Sequence, residues 1–127
     1  MTKWLLIAIG GALGSVLRYA IHGWVERAAQ TEFPLGTFVV NILGCLLIGF
    51  LATLFSAAVP IREEYRLGVV IGIIGGFTTF STFGWDAFVR MQSGQVALAA
   101  LYIALSCGVG LLAVWAGYQT AKHLFGA

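Results

Sequence analysis

Residues 75–83, Gly75-Gly76-Phe77-Thr78-Thr79-Phe80-Ser81-Thr82-Phe83, place a glycine pair, four hydroxyl side chains and three phenylalanines, of which Phe80 and Phe83, spaced three apart, follow the threonines, inside an apolar stretch. Glycine loses the most backbone entropy in a helix and β-branched threonine crowds the preceding turn, so the sequence predicts a helix break near 75–79. A break at membrane depth leaves backbone carbonyls unpaired, which is costly unless protein, water or an ion satisfies them; such breaks mark ion or substrate sites. On the helix that resumes, Phe80 and Phe83 share a face. Aromatic rings turned edge-on present a weak positive charge, and together with hydroxyls they suit a small hard anion. The freed carbonyls have the opposite preference, for a cation. At three-residue spacing, plain space filling by the rings is the competing reading.

Three further features could do chemistry with the same ion. Asn41 lies in the middle of the uncharged run from Phe33 to Ile61, with Thr37 one helical turn before it. Together they offer N–H and O–H donors to a dehydrated anion, or else an interhelical hydrogen bond. Tyr102, Ser106 and Gly110 follow at four-residue spacing, two hydroxyls and then a gap. Arg18 is the strongly ionised residue well inside a segment; it either snorkels to an interface or sits at a water-filled mouth that gathers anions. Enzyme signatures are missing: there is no phosphate-cradling glycine loop with lysine, no His-Glu-x-x-His, no Cys-x-x-Cys and no paired carboxylates. Catalysis is not expected. The long uncharged runs contain no Asp or Glu of the kind a proton-coupled exporter uses as a carrier, which favours a passive path. Cys45 and Cys107 sit in apolar runs and read as packing residues.

The elements that hold these residues follow from composition. At 60% hydrophobic and 9% charged residues, with a mean hydropathy of +0.95, the 127-residue chain is outside the range of soluble domains. Uncharged runs from Phe33 to Ile61, Leu67 to Trp85 and Met91 to Ala121 are each near or above the roughly 20 residues that span a bilayer, and a further segment from Trp4 to Trp24 is interrupted by Arg18. The expected fold is an all-α membrane protein of one domain with four transmembrane helices, at about 2–28, 34–58, 63–91 (broken near 75–79) and 95–123. Gly76 is the midpoint of its uncharged run, which puts the break near the bilayer midplane. No cleaved leader is expected, because no small-x-small site follows the first apolar run. A net charge of +2 gives no reason to expect nucleic acid. Lys3, Arg62, Arg66 and Lys122 fall on one face of the membrane and Arg27 and Arg90 on the other, with Arg18 added if it snorkels there. So weak a bias allows insertion both ways up, and oppositely inserted copies could pair about an axis in the membrane plane. Gly10 and Gly14, and Gly68, Gly72 and Gly76, have the spacing of close helix contacts. Four helices hardly enclose a pore, so transport would need an oligomer.

Three motifs carry a resemblance over essentially the whole chain: Gly10-Gly11-Ala12-Leu13-Gly14 leading to Arg18-Tyr19; Gly36-Thr37-Phe38-Val39-Val40-Asn41 leading to Gly44; and Gly75 to Phe83. On these the chain resembles the Fluc (CrcB) fluoride channels. The resemblance implies an antiparallel dual-topology homodimer in the bacterial inner membrane, with two fluoride pathways, passive conduction and exclusion of chloride, protecting the cell from fluoride. Asn41 matches the pore asparagine, Phe80 and Phe83 the ring-edge ligands, and Thr37, Ser81 and Thr82 polar residues of the pathway. Tyr102 and Ser106 match the pore stripe of the last helix, and Arg18 the vestibule arginine. Gly75 and Thr78 match the positions whose backbone carbonyls, from both subunits, hold a structural sodium ion. Two departures stand out: Gly84-Trp85-Asp86 where the family often has serine and then glutamate, and Gly110 where some relatives carry a second serine. The alternatives are a small proton-coupled exporter, which would want a carboxylate in the first helix, and a structural subunit without transport.

Overall fold

The computed structural model describes residues 1–126, and its regular structure is helical: α1 (Thr2–Ala29), α2 (Leu35–Thr53), α3 (residues 63–77), α4 (Phe80–Gln92) and α5 (Val96–Phe125). A wide π turn, Leu54–Ala58, prolongs α2, and α3 is built from Glu63–Leu67, a π segment Gly68–Ile74 and Gly75–Phe77. Four stretches are long and apolar enough to cross a membrane: Thr2–Ala29, Leu35–Ser56, Glu63–Gln92 and Val96–Phe125. The third contains both α3 and α4, and the chain is an all-α, multi-pass membrane protein.

Helix ends follow from local chemistry. α1 stops where Gln30 turns left-handed at φ 46°. The Glu26 carboxylate one turn earlier accepts the N–H of Gly36 at 2.7 Å, supplying the anionic cap that the start of α2 lacks in its own sequence. Pro34 stands just outside α2, whose first helical residue is Leu35.

α1 lies along α3, and α2 along α5. Glycine permits both approaches. A Cβ at Gly14 would sit 2.8 Å from the amide nitrogen of Phe77 and against the carbonyl oxygen of Ile73; Gly10 meets Gly68 and Gly72 in the same way, and Gly49 and Gly117 seat α2 and α5 on each other's backbones. Because the opposing atoms are backbone, they cannot turn aside. Gly14→Ala is therefore expected to destabilise the protein by about 1–3 kcal/mol, whereas Gly11→Ala, whose added methyl group meets open space, leaves stability unchanged. Thermal unfolding in detergent reads both.

The break lies at residues 78 and 79. Gly75 and Gly76, the expected weak point, stay helical; the chain leaves the helix at Thr78 (φ −82°, ψ 158°) and Thr79 (φ −150°, ψ 116°). The β-branched threonines take the extended conformation that suits them. Gly76 serves packing instead, since a Cβ there would lie 2.6 Å from the carbonyl oxygen of Gly11.

Candidate functional site

The interrupted backbone is held by side chains from two other helices. The Asn41 amide on α2 donates to the Thr79 carbonyl at 3.0 Å and accepts the Thr79 N–H at 2.9 Å, replacing both backbone partners of one residue. The Thr79 hydroxyl accepts the N–H of Thr82 at 3.2 Å and so caps α4; it also donates to the Thr82 hydroxyl at 3.1 Å and lies 3.3 Å from that of Ser81. From α1, Arg18 Nε donates to the Gly76 carbonyl at 3.1 Å, and Ser15 reaches the same oxygen at 3.5 Å. In an unbroken helix the N–H of Thr79 would bond the Gly75 carbonyl and that of Thr82 the Thr78 carbonyl. Both N–H groups are engaged elsewhere, so the Gly75 and Thr78 carbonyls lose their helical donors, and Gly75 is exposed on the surface of the protomer.

Beyond the break runs a row of aromatic and hydroxyl groups. The Phe80 and Phe83 ring centroids are 5.5 Å apart, Phe83 lies 5.2 Å from Tyr102, and Phe33 meets Tyr102 edge-on at 5.4 Å. The hydroxyls of Tyr102 and, one turn along α5, Ser106 are buried with no hydrogen-bond partner among the described residues. A buried hydroxyl without a partner costs about 1–3 kcal/mol, so both leave an O–H free for water or a ligand, that of Tyr102 on the side of Thr37 and Asp86. Thr37 is fully buried and donates to Asp86 Oδ2 at 2.7 Å.

A cavity of about 420 Å³ lies beside the break, lined by Ser15, Arg18, Tyr19, His22, Thr37, Val40, Thr79 and Thr82. A second hollow of about 380 Å³ runs past Asn41, Gly44, Cys45, Gly75, Thr78 and Phe80.

Asn41, Thr37, Thr82 and Arg18 thus gather at the break and its cavity, while Phe80, Phe83, Tyr102 and Ser106 form the row beyond it; Ser81 is exposed, touching only Thr79 among these groups. Arg18, read as either a snorkelling side chain or a charge at a water-filled mouth, bonds a backbone carbonyl through Nε and lines the 420 Å³ cavity. One expectation changes. The Thr37–Asn41 stripe is not a free set of donors, because the Thr37 hydroxyl is engaged by Asp86 and one amide N–H by Thr79. Asp86 itself escaped the sequence reading as a membrane carboxylate: it falls one residue beyond an uncharged run, yet α4 carries it back to α2. Ser15 had no sequence signal, and Thr79 was visible as part of the break but not as the hydroxyl that caps α4, since hydroxyls that satisfy a break have no pattern of their own.

Four membrane-crossing helices with a hydroxyl-lined break in the third define a small multi-pass membrane protein. Residues 5–118 match the family described as CrcB-like protein, Camphor Resistance (CrcB), and the chain belongs to that family. Among its relatives, proteins of Acidobacterium capsulatum (43% identical over 96% of this chain and 98% of the relative), Methylobacillus flagellatus (45%; 96% and 96%) and Chloroflexus aurantiacus (46%; 99% and 100%) each bear the name fluoride-specific ion channel. Their named function is that of a channel, not of an enzyme.

Proposed function

We propose that this chain is a fluoride-selective channel that lets fluoride leave a bacterial cell passively across the inner membrane, lowers cytoplasmic fluoride and so gives fluoride resistance. The observation that carries the reading is the pair of partnerless buried hydroxyls one turn apart on α5, Tyr102 and Ser106, with the Phe83 and Phe80 rings continuing from Tyr102. A dehydrated fluoride would take hydrogen bonds from the hydroxyls and from the remaining N–H of Asn41, then pass the ring edges. These groups replace its water without a full positive charge that would trap it, the condition for entering and leaving a narrow path. Thr37, Ser81 and Thr82 extend the polar lining. The Arg18 charge at the 420 Å³ cavity raises the local anion concentration at the vestibule.

The working unit is an antiparallel homodimer with two pathways. Supporting this, Phe80 is 84% exposed in the single chain, and Gly75 beside it is exposed as well. A twofold axis in the membrane plane would bring the two breaks together, and their Gly75 and Thr78 carbonyls would offer four hard oxygens. These oxygens suit sodium, which would lock the two breaks to each other. Exchanging sodium for N-methylglucamine is then expected to shift the dimer toward monomer, read by cross-linking in detergent; an unchanged dimer would remove the sodium assignment.

Asp86 favours a second reading, proton-coupled export, by placing a carboxylate beside the track. Against it, α1 carries no carboxylate before Glu26 near its end. Fluoride efflux from liposomes under an imposed voltage and no pH gradient separates the two. Fast fluoride release without chloride release is expected; release only under a proton gradient would overturn the passive channel.

A further inference from the structure

Ser15 and Arg18 lie three apart on one face of α1, and this face meets the end of α3. Gly11 receives the backbone of Gly76 at close range, and Ser15 and Arg18 both donate to the Gly76 carbonyl. That oxygen is one the break has released, because its helical donor would have been the N–H of Phe80, which begins α4. The Arg18 bond comes from Nε, the inner nitrogen of the guanidinium, while the side chain also lines the 420 Å³ cavity with Tyr19, His22, Thr37, Thr79 and Thr82. A cation at a helix C-terminus is favourable, and a charged donor makes a stronger hydrogen bond than a neutral one.

We infer that Arg18 is a positioning residue: through Nε it fixes the C-terminal end of α3, so that the break, and with it the first turn of α4 that carries Phe80 and Phe83, holds one geometry. The inference deepens the channel reading and rests on it for its functional consequence, but the clamp itself does not depend on what the protein conducts. Gly76 is held by α1 and Thr79 by Asn41 of α2, so the two ends of the interruption are pinned from opposite helices. An arginine that served only as a charge at a water-filled mouth would need no such bond.

Side-chain length separates the two roles. In glutamine the amide nitrogen follows Cδ and so occupies the place of arginine Nε, with no charge; in lysine a methylene stands there and the charge lies one bond further out. Three variants, Arg18→Gln, Arg18→Lys and Arg18→Met, are compared in two measurements. Amide hydrogen exchange across residues 76–82 is expected to rise about tenfold in Arg18→Lys and Arg18→Met, the order of effect of one charge-assisted hydrogen bond, and clearly less in Arg18→Gln, which keeps a neutral donor at the same place. Fluoride efflux at high salt, where the vestibule charge is screened, is expected to follow the same order, parent and Gln above Lys and Met. Overturning results are a Lys variant with parent-like exchange and efflux, or a Gln variant as impaired as Met with loss deepest at low ionic strength; either would leave Arg18 as a vestibule charge alone. If the parent conducts no fluoride, the channel reading fails, while the exchange order still decides the clamp.

Discussion

Asn41→Asp is expected to lower fluoride efflux about a hundredfold, the rate equivalent of roughly 2.7 kcal/mol. Two effects add. The substitution replaces the Nδ2 donor by an oxygen, so the Thr79 carbonyl loses its 3.0 Å partner and faces a carboxylate lone pair. A negative charge also enters the track where a dehydrated anion must pass. The other half of the latch, the Thr79 N–H, can still bond a carboxylate oxygen, so the protein is expected to assemble and the loss to lie in conduction. Efflux from liposomes with size-exclusion profiles of the same preparation checks both parts. Unimpaired efflux from assembled protein would remove Asn41 from the pathway.

Phe80→Ile is expected to reduce efflux at least about tenfold, which corresponds to roughly 1.4 kcal/mol in the barrier. Isoleucine keeps bulk and hydrophobicity and removes the ring edge. The ring is 84% exposed in the protomer, so truncating it costs the protomer's own core little, and the effect on transport is separable from stability. Phe83 differs, since its ring also packs on Tyr102 at 5.2 Å; its substitution would disturb the hydroxyl row along with any ligand contact. A Phe80→Ile variant that melts and assembles like the parent and conducts equally well would make the ring a packing residue.

The sequence disclosed the membrane character and the break because both are local: uncharged runs have the length of a span, and Gly-Gly followed by Thr-Thr conflicts with helix propensity over a few residues. The position of the break within 75–79 was less legible. Glycine and threonine both weaken a helix, and only the contact of Gly76 with Gly11 shows which of them packs. What the sequence could not disclose is pairing across distance. Asn41 meets Thr79 38 residues away, Thr37 meets Asp86 49 away and Arg18 meets Gly76 58 away; each bond forms only once helices that are remote in the chain lie side by side. The Thr37 and Asn41 donors looked free for an ion because their partners carry no local signature. Tyr102 and Ser106 were visible as a stripe, but their lack of partners became visible only when α5 was packed.

A reversal potential measures selectivity and passivity together. The protein is placed in a planar bilayer with a tenfold fluoride gradient, equal chloride and equal pH on both sides, and the measurement is repeated with a pH gradient imposed. A passive fluoride channel reverses at the fluoride equilibrium potential, about 59 mV at 25 °C from the thermal energy per unit charge, and the added pH gradient does not move it. A reversal near zero, or one that follows the pH gradient, would contradict the proposed function.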